Sequence, residues 1–320
     1  MEKAEGRNQT IIVEFILLGF GGSPELQPLL FLVFLVIYLM TVAWNLLIVA
    51  LVVTDHHLHT PMYYFLGNLA CLEICYTSAI LPRLLASLLT GDRAISVKGC
   101  IVQLYFFSVM AATEGQLLLA MSYDRYLAIC HPLRYTALMN GRVCCLIVVG
   151  CWINSFLTCF IANVFLFQFT FCDSSDIDHF FCDFSPMLKL SCSDTQALQQ
   201  LTFIFSALGT LMPCLLTLAS YIRIISTILK IPSSTGRQKA FSTCSSHLIV
   251  ITFSYGAAIA VYVVPTANTP KVLHKLFSLS HTVLAPLINP VIYSLRNKEV
   301  NEALKKTLNK MAASRKNHSR

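Results

Sequence analysis

LQPLLFLVFLVIYLMTVAWNLLIVALVVT, residues 26–54, contains no Asp, Glu, Lys or Arg. A helix rising ~1.5 Å per residue needs about 20 residues to cross ~30 Å of hydrocarbon, so this stretch is long enough to span a bilayer. Uncharged stretches recur at 143–172, 195–222, 240–270 and 276–295. Two more, 56–82 and 99–123, are each broken by one acid, Glu73 and Glu114. In lipid the backbone must satisfy its own hydrogen bonds, so these segments are predicted to be helices. The fold class is therefore an all-α membrane protein with spans at 26–54, 58–86, 97–130, 141–166, 196–229, 237–264 and 272–295. An N-terminal tail (1–25) precedes the bundle (26–296), and a cytoplasmic segment (297–320) follows it. Composition agrees: 320 residues, 56% hydrophobic and 12% charged, with mean hydropathy +0.66, leave too few polar side chains to cover a soluble fold.

Orientation follows from the basic flanks. With the N-terminus outside, most of the 23 Lys and Arg fall on inner ends, while Asp173, Asp176, Asp178, Asp183 and Asp194 crowd one outer loop. The net charge of +7 is then a membrane-orientation charge, and no nucleic-acid partner is expected. The tail lacks the apolar core of a cleavable signal peptide. Its Asn8-Gln9-Thr10 makes Asn8 a glycosylation acceptor if outside. Val300, Leu304 and Leu308 recur at intervals of four among lysines, the pattern of a short amphipathic helix on the inner leaflet. Of 13 cysteines, Cys100, Cys172, Cys182 and Cys192 face the oxidising side and can form two bridges, with three pairings open. His179 stands three residues before Cys182, a weak metal pattern beside a structural disulfide, and no metal site is expected.

Short motifs narrow the class. Met121-Ser122-Tyr123-Asp124-Arg125-Tyr126 closes the third span, and Asn289-Pro290-Val291-Ile292-Tyr293 interrupts the seventh. With these the chain resembles a rhodopsin-like (class A) G-protein-coupled receptor. Pro61-Met62-Tyr63-Tyr64-Phe65-Leu66, Lys239-Ala240-Phe241-Ser242-Thr243-Cys244-Ser245-Ser246-His247-Leu248 and Pro286-Leu287-Ile288-Asn289 through Arg296-Asn297 make it similar to an olfactory (odorant) receptor of the larger tetrapod-type class II. The likeness extends from about Phe15 to Lys306. Trp44, Tyr64, Glu73 and Ser122 depart mildly from the usual pattern and remove no switch residue.

The resemblance implies a receptor and not an enzyme, one that activates a stimulatory, olfactory-type G protein and raises cyclic AMP. It implies a plasma-membrane location in olfactory sensory cilia, and the pairings Cys100–Cys182 and Cys172–Cys192. It assigns switching to Asp124, Arg125, Tyr126, Tyr221, His247, Asn289, Pro290 and Tyr293. In that scheme the Asp124–Arg125 ion pair loosens as helix six swings outward, and Tyr221 and Tyr293 then turn inward to bridge helices. Intramembrane acids are costly and usually face the bundle interior. Glu73 and Glu114, with Asn45, are accordingly expected to hold a sodium ion, the one cofactor in view. A protonated, hydrogen-bonded acid is the alternative.

The resemblance also turns certain faces toward a ligand: Phe107, Ser108, Ala111, Ala112 and Gly115 on helix three, and Phe205, Ser206, Gly209 and Thr210 on helix five. Helix six contributes Tyr255, Ala258, Ile259 and Tyr262, and helix seven Ser278 and Thr282. These residues are apolar, aromatic or hydroxylic, and none is an acid. A cationic ligand would want a carboxylate to offset its desolvation. The expected ligand is thus a small, neutral, hydrophobic volatile. An ion-conducting path through Glu73 and Glu114 is the competing class, but no two-fold repeat of broken helices supports a transporter.

Overall fold

Prolines and small polar residues decide where the helices begin. Thr60 is extended and Pro61 opens α2 (Pro61–Thr90), which Gly91 ends at φ 76°, a left-handed conformation that needs no Cβ. The Ser96 hydroxyl accepts from Gly99 N at the head of α3 (Val97–Cys130), and the Asn140 carbonyl oxygen accepts from Val143 N at the head of α5 (Gly141–Val164). Ser233 does the same for α8 (Ser234–Tyr262). With α1 (Gln27–Thr54), α7 (Gln196–Leu229) and the seventh segment, the computed structural model contains seven helices long and apolar enough to cross a membrane. It describes residues 12–21, 24–172, 174–192, 195–264, 270–296 and 299–306. Short helices α4 (Pro132–Leu138) and α6 (Phe184–Leu188) lie in connections at opposite ends of the bundle.

The outward faces stay apolar: Leu32, Leu39, Leu146, Leu157, Leu208 and Leu215 are all exposed. An apolar belt this extensive is what a bilayer covers. The interior gathers the few polar side chains, among them Asn45, Glu73, Glu114, Asp124, His247 and Asn289, each at most 2% exposed.

Three features differ from the sequence reading. First, the seventh span is not one regular helix. It runs as α9 (Lys271–Leu279), a π turn over Ser280–Leu284, and α10 (Ala285–Arg296). Second, boundaries shift where caps act. The second helix is displaced from 58–86 to 61–90 by Pro61 and Gly91, and the sixth starts at 234 because Ser233 caps it. Third, the helical bundle carries a small three-stranded sheet in addition. Strand β1 (Glu14–Leu17) pairs antiparallel with β2 (Ala94–Ser96) and parallel with β3 (Asp176–Ile177), with Phe15 opposite Ile95 and Ile16 opposite Asp176. Residues 12–21 are therefore stitched across one end of the bundle instead of extending freely. Phe15 is fully buried and meets Phe171 edge-on at 5.1 Å. Lys275 Nζ donates to Gly19 O (2.8 Å) and to Asp178 Oδ1 (2.5 Å), fastening the same end to α9. That Lys275 bond holds the Asp178 carboxyl below its ordinary range.

At the other end residues 299–306 are helical, with Val300 and Ala303 buried and Leu304 half-buried. Tyr63 Oη donates to Glu299 Oε2 at 2.7 Å, and Lys306 pairs with Asp55 at 3.4 Å. Leu308 and the glycosylation candidate Asn8 lie outside the described residues.

Phe15→Ala should remove a fully buried ring and destabilise the fold by about 3–5 kcal/mol. A clear fall in melting temperature of the purified protein in nanodiscs is the expected reading; an unchanged one would show that the sheet bears no load.

Candidate functional site

Cys100 at the head of α3 is joined to Cys182, and Cys172 is joined to Cys192. The first bridge draws the chain after it over the mouth of the bundle. Cys182 N also donates to Gln103 Oε1 at 3.1 Å. Beneath this roof lies a cavity of about 780 Å³ between α3, α5, α7, α8 and the seventh span.

Phe107, Ser108, Ala111, Ala112 and Gly115 line it from α3, and Phe205, Ser206, Gly209 and Thr210 from α7. Tyr255, Ala258 and Tyr262 line it from α8. Ile259 is not part of the wall; it is half-buried, one position and about 100° round the helix from Ala258. Ser278 and Thr282 are buried but also absent from the lining, and Thr282 Oγ1 donates back to Ser278 O at 2.8 Å. The seventh span presents His274 and His281 instead.

The wall is not free of acids. Glu114 and Asp183 both line the cavity, which overturns the acid-free hollow inferred from the helix faces. Glu114 sits one position from Gly115 on a face that the chosen α3 stripe passed over. Asp183 directly follows Cys182, so a bridge from Cys182 to the head of α3 was already a signal that Asp183 hangs over the bundle. His281 carries no mark among the Asp, Glu, Lys and Arg whose absence defines the spans, although ionisable residues in spans usually have functional roles.

At the deep end Tyr255 Oη donates to the backbone carbonyl of Gly115 at 2.8 Å. A backbone acceptor in mid-helix is free to take a second donor because a carbonyl carries two lone pairs. The bond ties α8 to α3 at the cavity floor. Neither carboxylate oxygen of Glu114 has a hydrogen-bond partner, and the Ser254 hydroxyl stands close by without closing a bond. Deeper still, Asn289 Nδ2 donates to Glu73 Oε1 at 2.7 Å, and Asn45 Nδ2 donates to Pro286 O at 3.1 Å. These two contacts cross from α2 and α1 to the turn that Pro290 loosens by lacking an N–H.

Toward the opposite end, Arg125 Nε donates to Asp124 Oδ2 at 2.9 Å, and Tyr135 Oη of α4 donates to Asp124 Oδ1 at 2.7 Å. Burial and the neighbouring Asp124 carboxylate push the Tyr135 phenol up, so it stays protonated and remains a donor. Tyr221 Oη meets His247 Nδ1 at 2.7 Å between α7 and α8. Tyr126 reaches His131 at 3.0 Å. Tyr293 is buried with its hydroxyl unpartnered, so the Tyr221–Tyr293 bridge is not formed in this arrangement. With the Asp124–Arg125 pair closed as well, the geometry is that assigned to the resting state.

A seven-helix bundle with a roofed cavity at one end and an Asp124–Arg125 pair toward the other is the architecture of this chain. The family model described as olfactory receptor matches residues 34–311. This chain belongs to the olfactory receptor family. Human olfactory receptor 6C75 is 48% identical over 305 residues, covering 95% of this chain and 98% of the relative. Human olfactory receptor 6C3 is 46% identical over 304 residues, covering 95% and 98%, and human olfactory receptor 10K1 is 46% identical over 301 residues, covering 94% and 96%. As a member of this family the chain is a G-protein-coupled receptor and not an enzyme.

Tyr255→Phe keeps the ring and removes the cross-helix bond, which should cost about 0.5–1.5 kcal/mol. Because the bond joins the helix expected to move to one that stays, basal signalling of the variant should rise. Tyr135→Phe should likewise destabilise the closed latch by about 1–3 kcal/mol, since it strips a donor from a buried carboxylate. Thermal melting together with ligand-free second-messenger output checks both.

Proposed function

We propose that the cavity binds small, neutral, hydrophobic volatile molecules, and that occupancy opens the Arg125 latch toward a stimulatory, olfactory-type G protein, raising cyclic AMP. The observation that carries this reading is the Tyr255–Gly115 bond, which places a hydrogen-bonded link between α3 and α8 at the cavity floor. A ligand can drive the change only through different affinity for the two arrangements, and a molecule touching Tyr255 acts on a contact that differs between them. Binding by apolar burial at ~25 cal/mol per Å², with one or two orienting hydrogen bonds, suits a mainly apolar, aromatic and hydroxylic lining. For a ligand of about ten heavy atoms, affinity in the micromolar range follows.

Glu114 and Asp183 have other tasks in this reading. The Asp183 carboxylate accepts from Phe184 N at 2.8 Å and caps α6. Glu114 shares a sodium ion with Glu73. Buried oxygens without donors, namely both of Glu114, Asn45 Oδ1 and Asn289 Oδ1, make an all-oxygen set that fits a hard cation. A second reading, an amine ligand paired with Glu114, draws on the same unpartnered oxygens. The N-terminus lies outside, which exposes the disulfide end to odorants in the medium, and olfactory cilia are the site of action.

Cyclic-AMP output from cells expressing the receptor, challenged with volatiles matched in carbon skeleton, tests the scheme. Neutral alcohols, ketones and esters should act and Arg125→Ala should abolish the response; an equal response in that variant would defeat the latch. Activity confined to amines and lost in Glu114→Gln would establish the second reading in place of the first.

A further inference from the structure

We infer that a groove between α3, α5 and α7 on the bilayer-facing surface binds an anionic phospholipid, with an acyl chain along the groove and the headgroup phosphate at Arg223. The groove has a volume of about 620 Å³. Its walls are Leu119 and Ala120 of α3, Ile147 and Cys151 of α5, and Leu216 and Ala219 of α7. The small side chains at 120, 151 and 219 leave the recess between the larger ones. It shares Gln116 with the ligand cavity and no other wall residue. Gln116 Nε2 donates to Ser155 Oγ at 3.0 Å, so this side chain is fixed where the two spaces adjoin.

Length, polarity and charge select the occupant. From Gln116 to Tyr126 the groove follows α3 for about 15 Å at ~1.5 Å per residue, half of the ~30 Å hydrocarbon core. That is the depth of one leaflet, the reach of a single acyl chain. Polarity is graded along it: the walls are aliphatic, and Tyr123, Tyr126 and Arg223 gather at the end away from Gln116. Aromatic and basic side chains at one end of an apolar run mark the headgroup level. Tyr126 Oη is engaged with His131 at 3.0 Å, and Ser220 Oγ donates to Leu216 O at 2.9 Å. The exposed Tyr123 phenol and Arg223 guanidinium are left to meet a ligand. Arg223 forms no ion pair among the described residues, and no acid lines the groove. Arg134, Arg142 and Lys230 are exposed at the same end of the bundle, which the basic flanks place on the anionic inner leaflet. A guanidinium takes phosphate oxygens in pairs, whereas a sterol offers one neutral hydroxyl. A zwitterionic headgroup would bring its own cation among these basic side chains, so a net negative headgroup is favoured.

The test reconstitutes the full chain in nanodiscs of phosphatidylcholine, phosphatidylserine and cholesterol, releases it into mild detergent and counts retained lipid by native mass spectrometry. Wild type should keep one phosphatidylserine in preference to phosphatidylcholine. Arg223→Gln should lower that retention about fivefold, the worth of one basic contact to an anionic lipid, and Arg223→Lys should keep most of it. Ala219→Trp, which fills the groove and leaves every charge in place, should lose it. Leu218→Trp, exposed on the same helix but outside the groove, should behave as wild type. Melting temperatures in phosphatidylcholine alone should match across these variants, which separates lost lipid from lost fold. Equal retention of the two phospholipids by wild type would overturn the assignment, as would phosphatidylserine retention unchanged in both Arg223→Gln and Ala219→Trp. Cholesterol kept by Arg223→Gln and lost by Ala219→Trp would give the groove to a sterol, and a dimer lost by Ala219→Trp would give it to a second copy; either result defeats the proposal. The readout is bound lipid, so the outcome is independent of which odorant the cavity takes.

Discussion

Hydrocarbon offers no hydrogen bonds, and that constraint shapes the entire molecule. It forces the spans into helices, and it makes a polar side chain within them costly unless it finds a partner on its own helix or a neighbouring one. Several polar groups of this receptor meet across different helices: Asn289 and Glu73, Tyr255 and Gly115, Tyr221 and His247, and Tyr135 and Asp124. Along the bundle they form a series of discrete contacts from the cavity floor to the Asp124–Arg125 pair. Each is a local hydrogen bond between separate elements, set in a close-packed interior.

The disulfide end answers a different need. A cavity of about 780 Å³ beneath the mouth of a bundle requires a roof, and helices alone cannot supply one. The Cys100–Cys182 bridge holds the loop down, β1 pairs with strands on both sides of it, and Lys275 ties Asp178 and Gly19 to the seventh span. The roof therefore contributes chemistry as well as cover, since Asp183 lines the cavity together with His274 of α9.

Helix existence was plain in the sequence because charge is nearly excluded from a span, and the absence of four residue types over 20 or more positions is hard to produce otherwise. Helix ends were less plain. Pro61, Gly91 and Ser233 act through local capping that a count of missing charges does not register. The π turn at Ser280–Leu284 has no compositional mark. The ligand faces on α3, α7 and α8 came largely from resemblance plus helical spacing. On the seventh span the chosen stripe held Ser278 and Thr282, and the structure put His274 and His281 in the wall instead.

Span number, the polar residues stranded inside spans, the latch motif and the set of cysteines able to bridge are properties of the chain read in order. They depend on composition and on neighbours within one turn, so the sequence by itself determined them. Tertiary structure alone decided which of those residues meet. Glu114 reaching the cavity, Asp183 hanging over it, β1 inserted between β2 and β3, and His179 brought to His274 all join segments distant in sequence. Such meetings are set by how helices pack and where a disulfide pulls a loop, and neither leaves a periodic trace along the chain.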